Sequence, residues 1–310
     1  MSTTYPPNGP TFSDPILSAS RFLANPAFVA RRIQTLGDQR YVGSLLLSGR
    51  QDTTGGAVGY ETVEGIFADK TPESVAPGAE YTMTTVGDGP GGLARVVKSG
   101  QDTLVTDEAI KRRNMDPVEK ALRKLVNSQG KAIDGSVISL IASAVTASAP
   151  ATAAWSATTG TAILRDILKA RASITSQNLG YEPNVLLVDD MTGAFLASDP
   201  VISAAMARED TSNSVYSGRF PVIAGLAVIT ASTANMPGGV GTKAWILDTN
   251  QLGFIATEDL GGGYQQAGDL VQSKVMRVDE NDAWRMRARA NFAPVVTDPL
   301  AGFAITGVTV

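Results

Sequence analysis

Apolar positions recur along this chain with two different periods, and the switches between them mark out its elements. The clearest helical run follows Asp116, a residue suited to an N-cap, and Pro117, whose fixed φ suits a first helical position. Val118, Leu122, Leu125, Val126, Ile133, Val137, Leu140, Ile141 and Val145 then fall at helical spacing, which predicts a helix from Pro117 to Ser148, stopped by Pro150. At 1.5 Å per residue it is about 45–50 Å long, longer than an average globular helix. Gly130 and Gly135 are points at which it can bend. A second helix is predicted from Thr161 to Gln177, ended by Asn178 and Gly180.

On either side of the helices the period falls to two. Before them, residues 1–54 hold Pro6, Pro7, Gly9, Pro10, Pro15 and Pro26 with only a short helical pattern at Phe28 to Leu36, which reads as an arm without its own core. Residues 55–100 turn to β-formers and glycines: AVGYETVEGIF, the connector ADKTPESVAPGA, EYTMTTV, a GDGPGG turn and LARVVK. This predicts a long β-hairpin excursion with no second layer to cover its apolar side chains, so it is expected to lean on another subunit. Removing Gly59 to Lys98 is therefore expected to leave the core folded.

After Pro183, NVLLV is a short buried-type strand ending in Asp189 and Asp190, and MTGAFLASDPVISAAMARE reads as two short helices split at Pro200. Strands are predicted at PVIAGLAVIT, KAWILD and LGFIATED, between glycine-rich turns. A final strand pair, VQSKVMRVD and AWRMRARANF, is joined by a DEND turn. The whole is an α+β pattern.

Composition narrows the chemistry more than the shape. Of 310 residues 43% are apolar, enough for one or two cores, while histidine and cysteine are both absent. Without them there is no thiolate or imidazole metal ligand, no Ser-His-Asp triad, no catalytic thiol and no disulfide framework. No cofactor is expected and no enzymatic activity. The opening MSTTYPPNGP lacks the basic and apolar segments of a secretory signal, and the Ser- and Ala-rich run from Ser136 to Ala149 is too short to span a bilayer. With 26 Lys+Arg against 30 Asp+Glu the chain as a whole has no cationic surplus for tight nucleic-acid binding.

The remaining candidates for chemistry each have a plainer account. GDGPGG, GGVGTK and GGGYQQAG do not match a phosphate loop and lack its strand-to-helix setting, so turns explain them. Asp189 and Asp190 are placed to cap a helix, with no third acidic ligand at a motif spacing. Lys111, Arg112 and Arg113 read as a solvated turn before the long helix. Lys70, near the expected tip of the excursion, is an exposed amine for which no pattern fixes a partner. Arg285, Arg287 and Arg289 share one face of a strand, with Trp284, Met286, Ala288 and Ala290 on the other. That charged face is either solvated or an inter-subunit contact, where acids such as Glu61, Glu64 and Glu73 of a neighbour relieve its self-repulsion. Glu80 is a further excursion residue placed for such a contact.

The order of parts, with EGIFADKTPESVAPGAEYTM running into VTDEAIKRRNMDPVEKALRKLVNS, then PNVLLVDDMTGAFLA and DENDAWRMRARANFAPVVTDP, resembles the major capsid proteins of tailed bacteriophages, in particular those of actinobacterial phages. The resemblance implies a Hong-Kong-97-like α+β fold: an N-terminal arm (1–54), an extension loop (55–100), a peripheral domain (101–182 and 271–310) with its spine helix at 117–148, and an axial α/β domain (183–270). It implies self-assembly into hexamers and pentamers of an icosahedral head enclosing double-stranded DNA without sequence-specific binding. Portal, scaffolding and decoration proteins are its implied partners, the scaffold a separate chain because only a short arm precedes the loop. The protein would reside in the virion after assembly in the host cytoplasm, away from any membrane. The alternative with the same fold is an encapsulin-type nanocompartment shell.

Overall fold

The computed structural model describes residues 15–37, 42–62, 70–83, 89–157, 162–205, 222–237 and 239–309. Helices α1 (Pro15–Ala24) and α2 (Pro26–Gly37) each begin at a proline, and Asn25 between them accepts a hydrogen bond from the Ala27 amide at 3.2 Å, an N-cap for the second. A short helix α3 (Gly43–Leu46) precedes β1 (Gly49–Asp52), β2 (Ala57–Glu61), β3 (Gly91–Arg95) and β4 (Val97–Thr106). Thr106 Oγ1 accepts from the Ala109 amide and starts α4 (Asp107–Arg113), which leads into the long α5 (Asp116–Ala144). Then come β5 (Ser148–Pro150), α6 (Ile163–Thr175), β6 (Val185–Asp189), α7 (Asp190–Ser198) and α8 (Pro200–Ala205). The last third contributes β7 (Val222–Ile223), β8 (Leu226–Ala231), β9 (Ala244–Leu247), β10 (Gly253–Thr257), β11 (Gln265–Gln266), β12 (Gln272–Val278), β13 (Ala283–Val296) and β14 (Gly302–Thr306).

These elements form two compact units. The first takes its residues from 1–41, 97–132 and 259–291. Its sheet places β12 antiparallel to the start of β13, with Gln272 opposite Arg289 and Val278 opposite Ala283, adds β11 beside β12, and sets β4 on β13 as well. The turn between β12 and β13 is a single 3-10 turn closed by Asp282 in the left-handed region at φ 42. Helix α2 lies on β12. Leu23, Val29, Ile33, Val118, Leu122, Leu125, Val126 and Met286 are buried here. Polar ties reinforce the packing, with Arg32 paired to Glu119 at 3.0 Å and Gln129 Nε2 donating to the Ala288 carbonyl at 3.3 Å.

The second unit takes residues 42–96, 133–258 and 292–310. Its larger sheet has the order β5-β14-β9-β6-β8-β7, with β6 parallel to β8 and antiparallel to β9. All five residues of β6 and all four of β9 are buried, and all but Asp189 are apolar, as expected of central strands covered on both faces. Asp189 ends β6 and caps α7, its Oδ1 accepting from the Thr192 amide at 2.7 Å, as the sequence predicts. Helix α6 packs on β14 and β9. A smaller group of strands joins β1 parallel to β10 and β10 antiparallel to Phe292–Val296 of β13.

Several sequence expectations are corrected. The arm has no core of its own but is packed into the body of the chain: Ala19, Leu23, Val29, Ala30 and Ile33 are buried in the first unit, and Leu46 and Leu47 in the second. The long helix ends at Ala144, and Ser148–Pro150 instead pairs in parallel with Ala304–Thr306, because β14 offers that stretch an edge to bond. Lys111, Arg112 and Arg113 form the last turn of α4, where cations complement the helix dipole. PVIAGLAVIT is two strands, turned at Ala224 and Gly225, both at positive φ. Of the EYTMTTV segment, residues 80–83 are in no strand and the rest lie outside the described residues. The boundaries between units also differ from those drawn on sequence, since β14 closes on β9 and so brings the C-terminal strand to residues assigned to a separate axial domain.

Candidate functional site

Among the described residues no enclosed constellation of reactive side chains stands out, and the candidate functional surfaces are the β excursion and the arginine face. The excursion is anchored at its root. Glu258 Oε1 accepts hydrogen bonds from the amides of Gly55 and Gly56 at 3.0 and 3.1 Å, and both glycines sit at positive φ, where a side chain would be strained. Beyond them β2 and β3 pair antiparallel, Ala57 opposite Arg95 and Glu61 opposite Gly91. Val58 is buried against Ala256, Ala293 and Val295, with Tyr60, Ala94, Val96 and Phe254 packed around it. The root of the hairpin thus has a second layer within its own chain, contrary to expectation.

Farther out that cover ends. Tyr81 and Met83 are 82% and 84% exposed, and Leu93 on β3 is 69% exposed. Lys70, Glu73 and Glu80 are exposed as well, with Lys70 Nζ donating to the Met83 carbonyl at 3.3 Å. Glu61 closes β2 and is exposed, while Glu64 lies outside the described residues. Large apolar side chains held in water on a projecting segment are poor stability design for an isolated chain. They suit a surface that another chain covers.

The arginine face is organised from within. Asp102 of β4 receives Arg287 through both carboxylate oxygens, Nε to Oδ1 at 2.5 Å and the second guanidinium nitrogen to Oδ2 at 2.7 Å, while Arg285 Nε also bonds Oδ2 at 2.6 Å. Those hydrogen bonds, that from Arg287 first, hold the Asp102 carboxyl below its ordinary value and keep Arg287 charged. Arg289 goes elsewhere. It is buried, its guanidinium 3.5 Å from the centroid of the Tyr264 ring, and it donates to the Gly261 carbonyl at 2.7 Å and to Gln272 Oε1 at 2.9 Å. Period two alone groups the three arginines, but Asp102 pairs with Arg285 and Arg287, while Tyr264 and Gln272 orient Arg289. Part of the self-repulsion between Arg285 and Arg287 is thus relieved within the first unit by Asp102.

At the adjacent turn Arg277 pairs with Asp107 and Asp279 at 2.7 and 3.1 Å and stacks near Trp284. Asp107 is held below its ordinary value, chiefly by its hydrogen bond from Arg277. In the second unit Asp134 of α5 is wholly buried, with Oδ1 accepting from the amides of Val42 and Gly43 at 3.0 and 2.7 Å. Burial pushes its pKa up, more than those bonds lower it. A surface groove of about 560 Å³ between α6 and α8 is lined by Ile163, Leu164, Leu168 and Val201 and rimmed by Arg165, Lys169 and Asp199. Among the described residues no group of three or more acidic side chains is placed to hold a metal ion, and no helix is long and apolar enough to cross a membrane.

Comparison with known proteins matches residues 92–305 to the family described as phage capsid protein, more than half of the chain. No curated protein matches the sequence. Solved structures do match in fold: the capsid of cyanophage P-SCSP1u at a TM-score of 0.62 and 13% identity, over 86% of this chain and 87% of that one. Microbacterium phage Oxtober96 matches at 0.59 and 13%, over 86% and 90%. A virus-like particle from Pyrococcus furiosus matches at 0.57 and 12%, over 89% and 97%.

Proposed function

The chain belongs to the phage capsid protein family, and from that premise we propose that it assembles into hexamers and pentamers of a closed icosahedral head around double-stranded DNA. It is a capsid shell protein of the virion with a Hong-Kong-97-like α+β fold. The proposal adds the form of assembly, the genome inside, assembly in the host cytoplasm, and a role resting on contacts alone with no catalytic step. Portal, scaffolding and decoration proteins belong to the same proposal as partners.

One observation carries it: beyond its anchored root, the excursion presents Tyr81 and Met83 almost fully to solvent. Burying two such side chains against another subunit removes apolar area worth roughly 1.5–3 kcal/mol each, and a closed shell repeats that gain at every subunit. Weak single contacts repeated by symmetry suffice to hold a container.

The test removes the projection and keeps its root. Residues 62–90 are replaced by an Asn-Gly turn joining Glu61 to Gly91, which preserves β2, β3 and the Val58 contacts. Removing Gly59 to Lys98 would cut into that packing. Chain produced with the neighbouring phage genes is viewed by electron microscopy, and the variant is expected to fold and to form no closed particles. Normal closed particles from the variant would refute the assembly role of the excursion. A second reading, a compartment shell enclosing protein cargo, draws on the match to the Pyrococcus furiosus particle. The contents of purified particles, DNA or protein, separate the two.

A further inference from the structure

The chain carries more acid than base overall, but the surface of α4 and of the first half of α5 has the opposite sign. From Asp107 to Lys131 there are four carboxylates, and three of them are engaged: Asp107 by Arg277, Asp116 by Lys120 at 2.6 Å and Glu119 by Arg32. What remains is Glu108 against Lys111, Arg112, Arg113, Arg123, Lys124 and Lys131, all six exposed and without an ion-pair partner among the described residues. The helix dipole accounts for the three at the end of α4. It does not account for Arg123, Lys124 and Lys131, which lie in the middle of a 29-residue helix.

An ordinary solvated helix face interleaves both signs at i,i+3 and i,i+4 spacing, which stabilises it by tenths of a kcal/mol per pair. Here Lys120 meets Arg123 at i+3 and Lys124 at i+4, like signs that repel. After Glu119 the next carboxylate on the helix is Asp134, which is buried and bonded to backbone amides. The exposed positions between them are Lys120, Arg123, Lys124, Asn127, Ser128, Lys131 and Ala132, with no aromatic or large aliphatic side chain. A protein partner of stable affinity would need such apolar anchors. A polyanion needs only mobile cations and hydrogen-bond donors.

The geometry points to this face as a sequence-independent contact for the phosphate backbone of duplex DNA. The inference rests on the proposed role as the shell of a DNA head and says which surface of the subunit is turned to the genome. Three cations per subunit are few enough for each contact to exchange readily in salt, and repetition over many subunits adds them together. The near-neutral balance of the whole chain is then a sum of an acidic remainder and one basic face.

The test uses the full chain, a random-sequence DNA duplex and fluorescence anisotropy between 50 and 200 mM salt. The triple variant R123Q/K124Q/K131Q is compared with K98Q/R165Q/K169Q, which makes the same change in net charge at exposed positions elsewhere. With a slope of about −0.9 per neutralised phosphate, losing three contacts lowers the salt slope by nearly three, so over this fourfold range wild-type affinity falls about forty-fold more than that of the α5 variant. The control is expected to keep the wild-type slope. Equal slopes in the α5 variant and wild type, or the same loss in both variants, overturn the inference. So does an unchanged slope with failed assembly in the presence of scaffolding protein, which would mark the face as a seat for an acidic protein. Shell closure, scored separately by electron microscopy, reports on the proposed function independently of the DNA measurement.

Discussion

Replacing Asp134 separates what a buried carboxylate contributes from what it costs. Its Oδ1 is the acceptor for the amides of Val42 and Gly43, and Asn235 Nδ2 approaches Oδ2 at 3.4 Å. The fit is tight, since a Cβ built on Gly43 would lie 3.1 Å from Oδ1. D134A leaves two backbone donors without a partner, one of them buried, and each such orphan costs about 1–3 kcal/mol. Part of that is returned because the carboxylate no longer has to be desolvated, so a net loss of about 2–4 kcal/mol is expected at neutral pH. D134N keeps an oxygen acceptor at the same place and removes the buried charge. Its loss of charge assistance and its gain in desolvation oppose each other, and the net change is expected to stay within about 1 kcal/mol.

The two variants also differ in pH dependence. The folded pKa of Asp134 is raised above 3.8 by burial, so the penalty for burying the charged form applies above the folded pKa and fades as pH falls from there toward 3.8. Wild type should therefore gain stability relative to D134N on acidification through that window. Other carboxylates titrate alike in both proteins and cancel in the difference. Urea unfolding of unassembled chain over a series of pH values descending from neutral toward 3.8 reads both effects. If D134N proves as damaging as D134A, or if the wild-type advantage shrinks on acidification, the account of a desolvated carboxylate acting mainly as an acceptor is wrong.

Two further stability measurements follow from the same packing. D102N should cost about 1–2 kcal/mol, discounted because the arginines are partly exposed, and since the folded pKa of Asp102 is depressed, its contribution is present above 3.8 and lost as pH falls below it. Acid titration of unfolding should accordingly bring D102N and wild type together, and a gap that shows no narrowing as pH falls below 3.8 would count against the pairing. V58A removes two methyl groups from a buried site at the hairpin root and should cost about 2 kcal/mol in the unassembled chain, whereas Y81A should change it by less than about 0.5. Equal effects in thermal unfolding would mean that the excursion is not divided into an anchored root and an uncovered outer part.

How much of this was legible beforehand depends on the range over which each feature is decided. The long α5, the buried β6, the cap at Asp189 and the paired strands β12 and β13 follow from apolar spacing and from residues within a few positions of one another. The absence of histidine and cysteine likewise removes whole classes of side-chain chemistry whatever the fold. The basic face of α5 is also written in one helix, although it shows only once Asp107, Asp116 and Glu119 are seen to be engaged and Asp134 to be buried.

Other features rest on pairings between distant parts of the chain. Asp102 meets Arg285 across 183 positions, and nothing local to either residue announces the other. The burial of Leu23 and Ile33, the cover over Val58, and the conversion of Ser148–Pro150 from helix end to strand likewise depend on which surfaces meet. Local spacing sets which face of an element is apolar, but the partner that covers that face is chosen by burial summed over the whole fold. Tertiary structure therefore decided where the excursion is anchored and which groups hold the arginines.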